Sequence, residues 1–373
     1  MKSTVFIIGA GPGAPDLISL RGFQCLQKAN VVIYDHMVNP RLLEWAPAGA
    51  ERIDVGSASP QESDQEAICY LLAEKAREGK TVARLKWGDP FLFDRGGSEA
   101  LFLHEQGIRY EVVPGIPAAI GVSAHAGIPV TYPGSGDTVT IVRGHEDEGR
   151  EKARVNWTGL AALDGTIICY AGPKQLPKMI DALIAHGRGE DESAAIITNG
   201  TLSSQHTTTA TLGELKKMLR ESPAVSPGLL VVGKVVGFRE HLRWFDSRPL
   251  FGRRVLVIRS HEHQPDDTIV ELLAGHGADI ILENDTKLDV YRLLLDRRID
   301  AVAFTSAAAI LEFAAKYGAD QAADLLAHTV VAIAGLAAQD AATRANVQPA
   351  IHLDSGTTAA LADAIAAHFR SHG

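Results

Sequence analysis

Val5-Phe6-Ile7-Ile8-Gly9-Ala10-Gly11-Pro12-Gly13 is an apolar run that ends in a glycine loop. A buried parallel strand followed by such a loop marks the carboxyl edge of an open α/β sheet, where nucleotide-like ligands bind. The glycines let the backbone turn and approach a ligand with no Cβ in the way, and Pro12 and Pro15 stiffen the loop. Asp35 stands at the end of the next strand, where a dinucleotide fold places its ribose-binding acid, but the spacing is GxGxG rather than GxGxxG. A nicotinamide reading stays open at this point without being favoured.

Working outward, strands and helices alternate. Residues 30–35 form a second apolar strand, and Leu17, Leu20, Phe23 and Leu26 give the intervening segment helical periodicity. Ser63 and Glu66 make a capping-box pattern ahead of Ile68, Leu71 and Leu72. Residues 81–86 are a third strand running into Trp87-Gly88-Asp89-Pro90-Phe91, and residues 110–113 meet Pro114-Gly115-Ile116-Pro117, a domain boundary. A second series follows, with strands expected at 138–142, 166–170, 194–198 and 229–236. Residues 246–252 read as a linker. A third series begins at Arg254, with strands expected at 254–259, 278–282, 301–305, 329–334 and 350–353. Such alternation implies parallel sheets covered on both faces.

Composition narrows the function. A chain of 373 residues exceeds one ordinary core. A net charge of -9 without a basic stripe argues against a nucleic-acid partner. No apolar run reaches membrane-spanning length and residues 3–10 lack signal-peptide flanks, so a cytoplasmic protein with no membrane partner is expected. Cys25, Cys69 and Cys169 are scattered and odd in number, which fits reduced thiols in apolar faces. His145 with Glu146, Asp147 and Glu148, and Glu262 between His261 and His263, read as solvated turns; no metal site is expected.

Seven motifs in order carry a family resemblance. They are Gly9-Ala10-Gly11-Pro12-Gly13, Val31-Val32-Ile33-Tyr34-Asp35, Arg84-Leu85-Lys86-Trp87-Gly88-Asp89-Pro90-Phe91, Val112-Val113-Pro114-Gly115-Ile116, Ala126-Gly127-Ile128-Pro129, Arg143-Gly144-His145 and Asn199-Gly200-Thr201. Their order and spacing over residues 4–245 closely resemble the tetrapyrrole methylases, and within them the members that methylate uroporphyrinogen III. The resemblance implies the two-domain class III methyltransferase fold, α/β domains at 1–114 and 115–245 with the active-site cleft between them, and a homodimer. It also implies transfer of two methyl groups from S-adenosylmethionine to uroporphyrinogen III. The products are precorrin-2, on the siroheme and cobalamin branch of porphyrin biosynthesis, and S-adenosylhomocysteine.

Carried over by position, the resemblance implies Asp35 as proton acceptor; the residue types alone equally allow a loop-capping or ribose-binding acid. The implied cofactor residues are Pro12, Trp87, Gly88, Asp89, Leu92, Pro117, Ala118, Ala171 and Gly200. An eight-carboxylate substrate needs cations, and Arg21, Lys86, Arg95 and Arg143 lie in or beside the motif loops. Departures from the family pattern are Ala14 for an Asp, Ser57 for a Lys regarded as a proton donor, Trp87 and Asp94 for glycines, Ala171 for a methionine, and Thr131-Tyr132-Pro133 in place of a His-Arg pair. They leave open a methylase of another corrin precursor, or a tetrapyrrole- or cofactor-binding protein without catalysis. Residues 253–373, through Val255–Ile258 with Arg259, Phe304-Thr305-Ser306 and Ile333-Ala334-Gly335, resemble one lobe of uroporphyrinogen-III synthase. This implies a five-stranded flavodoxin-like α/β lobe.

Overall fold

The computed structural model describes residues 4–56, 65–144, 155–260, 268–283 and 288–371. Ser57, Ser63, His145 to Glu148 and His261 to His263 lie outside these residues. The chain forms two compact units, Met1–Arg243 and Trp244–Gly373.

The first unit holds two sheets. One consists of β1 (Val5–Gly9), β2 (Val31–Tyr34), β3 (Glu51–Asp54), β4 (Val82–Lys86) and β5 (Tyr110–Val113) in the order β3-β2-β4-β1-β5. All four pairings are parallel. Alternation of side chains along the strands separates two cores. Ile8, Val32, Ala83 and Leu85 pack with Cys25 and Leu26 of α1 (Leu20–Leu26). Val5, Ile7, Ile33 and Val82 pack on the other face with α2 (Gln65–Arg77) and α3 (Gly96–Glu105). The chain leaves β1 toward β2 and leaves β4 toward β5, so the connections diverge at the β1–β4 pair. Ligands of open sheets bind outside the carboxyl ends of strands at such a divergence.

The second sheet comprises β6 (Val139–Arg143), β7 (Thr166–Ala171), β8 (Ser193–Thr198), β9 (His206–Thr211) and β10 (Gly228–Val232), ordered β6-β7-β10-β8-β9. It corrects the expectation of parallel sheets throughout. Only β6 and β7 pair in parallel, whereas β10 runs antiparallel to both β7 and β8, and β8 is antiparallel to β9. The strand expected to continue to residue 236 ends at Val232, because Gly233 has φ +140° and a 3₁₀ turn, Lys234–Phe238, follows. Helix α4 (Ala118–His125) covers one face, its Ala118, Ala119 and Val122 packing with Ile168, Ala195, Ile197 and Leu229.

The second unit contains β11 (Arg254–Ile258), β12 (Asp279–Leu282), β13 (Ala301–Phe304), β14 (Val330–Ala334) and β15 (Ile351–Leu353) in the order β12-β11-β13-β14-β15, all parallel. Helices pack on both faces, around Phe304 and Phe313 on one and Leu273 and Ile365 on the other. The expected linker is part of this unit. Leu250 is fully buried in its core and Arg248 lies 4.0 Å over the Phe245 ring, since a leucine at that point gains more from burial than from exposure. Cys25, Cys69 and Cys169 are all buried free thiols, and burial pushes Cys169 up to about 12. No helix of the described residues is long and apolar enough to cross a membrane.

Candidate active site

Three loops from the first sheet meet backbone to backbone. Gly11 and Gly88 exchange hydrogen bonds, Gly11 N donating to Gly88 O at 3.2 Å and Gly88 N to Gly11 O at 2.8 Å. Asp89 clamps the third loop: its Oδ2 accepts from Gly115 N at 3.0 Å and its Oδ1 from Phe91 N at 2.9 Å. The approach is close enough to require glycine. A Cβ on Gly115 would lie 2.2 Å from Gly88 O, and one on Gly9 would lie 2.5 Å from Gly115 Cα. Gly115→Ala is therefore expected to cost about 1–3 kcal/mol through forced backbone displacement. The exposed helical Gly97, with nothing within 4 Å of its Cβ position, should instead gain about 0.5–1 kcal/mol as alanine. Urea unfolding of the two variants checks this; equal midpoints would show that the glycine contact carries no constraint.

The carboxyl ends of β7 and β8 reach the same loops. Ala14 N donates to Thr201 Oγ1 at 2.8 Å, and a Cβ on Gly121 of α4 would lie 2.7 Å from Pro12 Cγ. The Tyr170 hydroxyl accepts from Ala119 N at 2.9 Å, while its ring meets the edges of Trp87 and Phe93 at centroid distances of 6.3 and 5.7 Å. The fold thus gathers Pro12, Trp87, Gly88, Asp89, Leu92, Pro117, Ala118 and Gly200 around the junction of these loops. Ala171 differs. The alternation that turns Tyr170 toward Trp87 turns Ala171 into the opposite core with Leu176 and Met179. Only its backbone is left to meet a ligand.

Beneath the loops lies a charged cluster. Arg84, Lys86 and Glu99 are 1%, 2% and 0% exposed. Arg84 and Lys86 are two residues apart on β4 and share the face covered by α3, which carries Glu99. Glu99 Oε1 accepts from Arg84 Nη2 at 3.1 Å, from Lys86 Nζ at 3.0 Å and from Gln65 Nε2 at 3.2 Å. Asp35 accepts from Arg84 Nη2 at 2.5 Å and lies 3.8 Å from Lys86 Nζ, and Asp94 lies 3.1 Å from the same ammonium. Burial alone would push Glu99 up, but Arg84 and Lys86 outweigh it and hold it below the ordinary glutamate range. Asp94 is pushed up, first by burial and then by the like charge of Asp35, with Lys86 opposing.

The cations expected to meet substrate divide into two pairs. Arg95 and Arg143 are exposed, and no ion pair to a described residue engages either guanidinium. Lys86 is enclosed by carboxylates. Arg21 is clamped by Glu111 through two contacts of 2.7 Å, and its guanidinium lies over Phe6, which precedes the Gly9 loop in β1 by three residues. The fold therefore does not bring Arg21 to the loop junction. Arg84 and Thr201 belong to the seven motifs without a role assigned to them there, and Glu99 and Tyr170 lie outside those motifs. The spacing of Arg84 and Lys86, charged residues on one face of an otherwise apolar strand, is the signal that points to the cluster.

Residues 4–216 match the family model of the tetrapyrrole (corrin/porphyrin) methylases. The chain is similar to a siroheme synthase from Thiobacillus denitrificans, 43% identical over 245 residues, covering 65% of this chain and 51% of that protein. It is also similar to a uroporphyrinogen-III C-methyltransferase from Bacillus subtilis, 37% identical over 278 residues, covering 74% and 57%. Among solved structures it resembles the uroporphyrin-III C-methyl transferase of Thermus thermophilus complexed with S-adenosylhomocysteine. There the TM-score is 0.55 at 31% identity, over 63% of this chain and 99% of that one. The chain spans about half the length of the curated relatives it matches.

Proposed function

Because the chain belongs to the tetrapyrrole (corrin/porphyrin) methylases, we propose that it is an S-adenosylmethionine-dependent C-methyltransferase that converts uroporphyrinogen III to precorrin-2. The observation that carries this reading is the convergence of the Gly9, Gly88 and Gly115 loops with the ends of β7 and β8, above a cluster holding Asp35. The loops suit the methyl donor. Gly88 has open space on its Cβ side, with only Pro117 Cα at 3.9 Å, and the half-buried Trp87, Leu92 and Pro117 offer apolar surface beside backbone amides and carbonyls, while Pro12 and Ala118 are buried. When bound, the sulfonium would supply an electrophilic methyl group, its sulfur keeping the electron pair of the broken bond, and the ring would release one proton for each methyl gained.

The chain's own residues orient the reactants and exclude water, which is most of what an in-line displacement requires. Asp35 accepts the proton, and the exposed Arg95 and Arg143 meet substrate carboxylates. Arg21 and Lys86 act as counter-ions to Glu111 and to the buried cluster. We read residues 1–114 and 115–245 as the two methylase domains flanking the cleft, the assembly as a homodimer, and the location as the cytoplasm. The remainder we read as a single lobe resembling uroporphyrinogen-III synthase. Its parallel order β12-β11-β13-β14-β15 supports a flavodoxin-like topology.

Incubation with uroporphyrinogen III and labelled methyl donor is expected to add two methyl groups, read as product mass. S-adenosylhomocysteine should raise the thermal midpoint, since a ligand that binds only the folded state stabilises it by mass action. NAD should leave the midpoint unchanged. Stabilisation by NAD alone would overturn the reading, and S-adenosylhomocysteine binding without transfer would make the protein a binding module.

A further inference from the structure

The cluster beneath the loops contains three carboxylates, Asp35, Asp94 and Glu99, and two cations, Arg84 and Lys86. It therefore holds one formal negative charge more than it neutralises. The distribution is uneven. Arg84 and Lys86 both bind Glu99 Oε1, while Glu99 Oε2 is buried with no partner among the described residues. Asp35 and Asp94 are the partly exposed members, with side chains 27% and 24% exposed, and they approach the Lys86 ammonium at 3.8 and 3.1 Å. A buried excess charge is costly, and two carboxylates that share one cation are where an arriving proton relieves it.

We propose that Asp94 and Asp35, joined through the Lys86 ammonium, form a carboxylate pair that takes up the proton released by the methylated ring. The inference rests on the methyltransferase reading and adds Asp94 to it as the partner of Asp35 across Lys86. Charge balances across the step: the methyl donor arrives with one positive charge on sulfur and leaves neutral, and the proton that replaces this charge goes to the pair. The groups that bear on Asp94 are Lys86 and Arg84 from β4, Asp35 after β2, Glu99 from α3, and the backbone amide of Arg95. Gln65 and Cys69 of α2 flank Glu99. Asp94 already stands above the ordinary aspartate range, through burial first and the charge of Asp35 next.

Two measurements test this in the full chain. In the first, carbon-13 carboxyl NMR follows the aspartates, with the Asp94 resonance assigned by its loss in Asp94→Asn. It should titrate above the usual value of about 3.9 and move down in Asp35→Asn, where the like charge is gone. In the second, the pH profile of kcat/KM for methyl transfer by Asp94→Asn should show about a tenfold lower plateau. Its acidic limb should move to lower pH, because one negative charge beside Lys86 is gone. A merely structural Asp94 would lower the plateau and leave the limb in place. An Asp94 titration indifferent to Asp35→Asn, with normal transfer by the parent, sinks the pairing alone. A coupled titration in a parent that binds S-adenosylhomocysteine but transfers nothing sinks the methyltransferase reading and the proton assignment with it.

Discussion

Replacing Arg84 with methionine is expected to destabilise the protein by about 3–5 kcal/mol, the usual cost of removing one partner from a buried ion pair. Arg84 is 1% exposed and binds Glu99 and Asp35, so its loss leaves Glu99, itself 0% exposed, with Lys86 as its one remaining cation among the described residues. The cause can be separated from lost packing. If the penalty is the orphaned charge, the double variant Arg84→Met/Glu99→Gln should be more stable than Arg84→Met alone, with a coupling term measured from the four-way cycle. Equal destabilisation of single and double variants would assign the loss to packing. The pH dependence has a definite sign. Glu99 has a depressed folded pKa, so its contribution is present above the unfolded value of about 4.3 and is lost as pH falls through the folded value. Without Arg84, burial pulls Glu99 back up, and this acid-side slope should flatten or reverse in chemical denaturation run across pH 3–6.

Asp35→Asn is expected to lower methyl transfer by about 10²–10⁴-fold while leaving affinity for S-adenosylhomocysteine nearly unchanged. Asparagine keeps the size and can still accept from Arg84, whose guanidinium lies 2.5 Å from the present carboxylate, but it cannot take a proton from the ring. The two effects are read separately, turnover by product mass and binding by calorimetry. Wild-type turnover would reassign Asp35 to loop capping or ribose contact. A parallel loss of binding would place it against the methyl donor.

Much of the architecture is legible from local pattern. Val5–Gly9, Val31–Tyr34 and Val82–Lys86 are runs that a sheet covered on both faces buries, and their glycine- and proline-rich exits mark the carboxyl edge. The parallel third sheet is equally plain in its apolar strands separated by alanine-rich helices. Glu51–Asp54 and His206–Thr211 were not legible. Both are edge strands at the margins of their sheets, one strongly charged and one threonine-rich, so neither carries a buried run. The direction of Gly228–Val232 was hidden for a different reason. A central strand reads as the same apolar string whether its neighbours run with it or against it, and the difference lies in where the chain returns.

The site divides in the same way. Sequence by itself determined which residues stand at the strand ends, since Gly9, Gly88, Asp89, Gly115 and Gly200 are spaced by the lengths of strands and helices. It also determined that Arg84 and Lys86 share one face of β4, because side chains alternate along a strand. Only the tertiary structure decided what those charges meet. Glu99 and Asp94 from the following segment, Asp35 from the neighbouring strand's end and Glu111 opposite Arg21 are brought in by packing. Ion pairing depends on the distance and dielectric that folding creates, and neither is written in the order of residues along the chain.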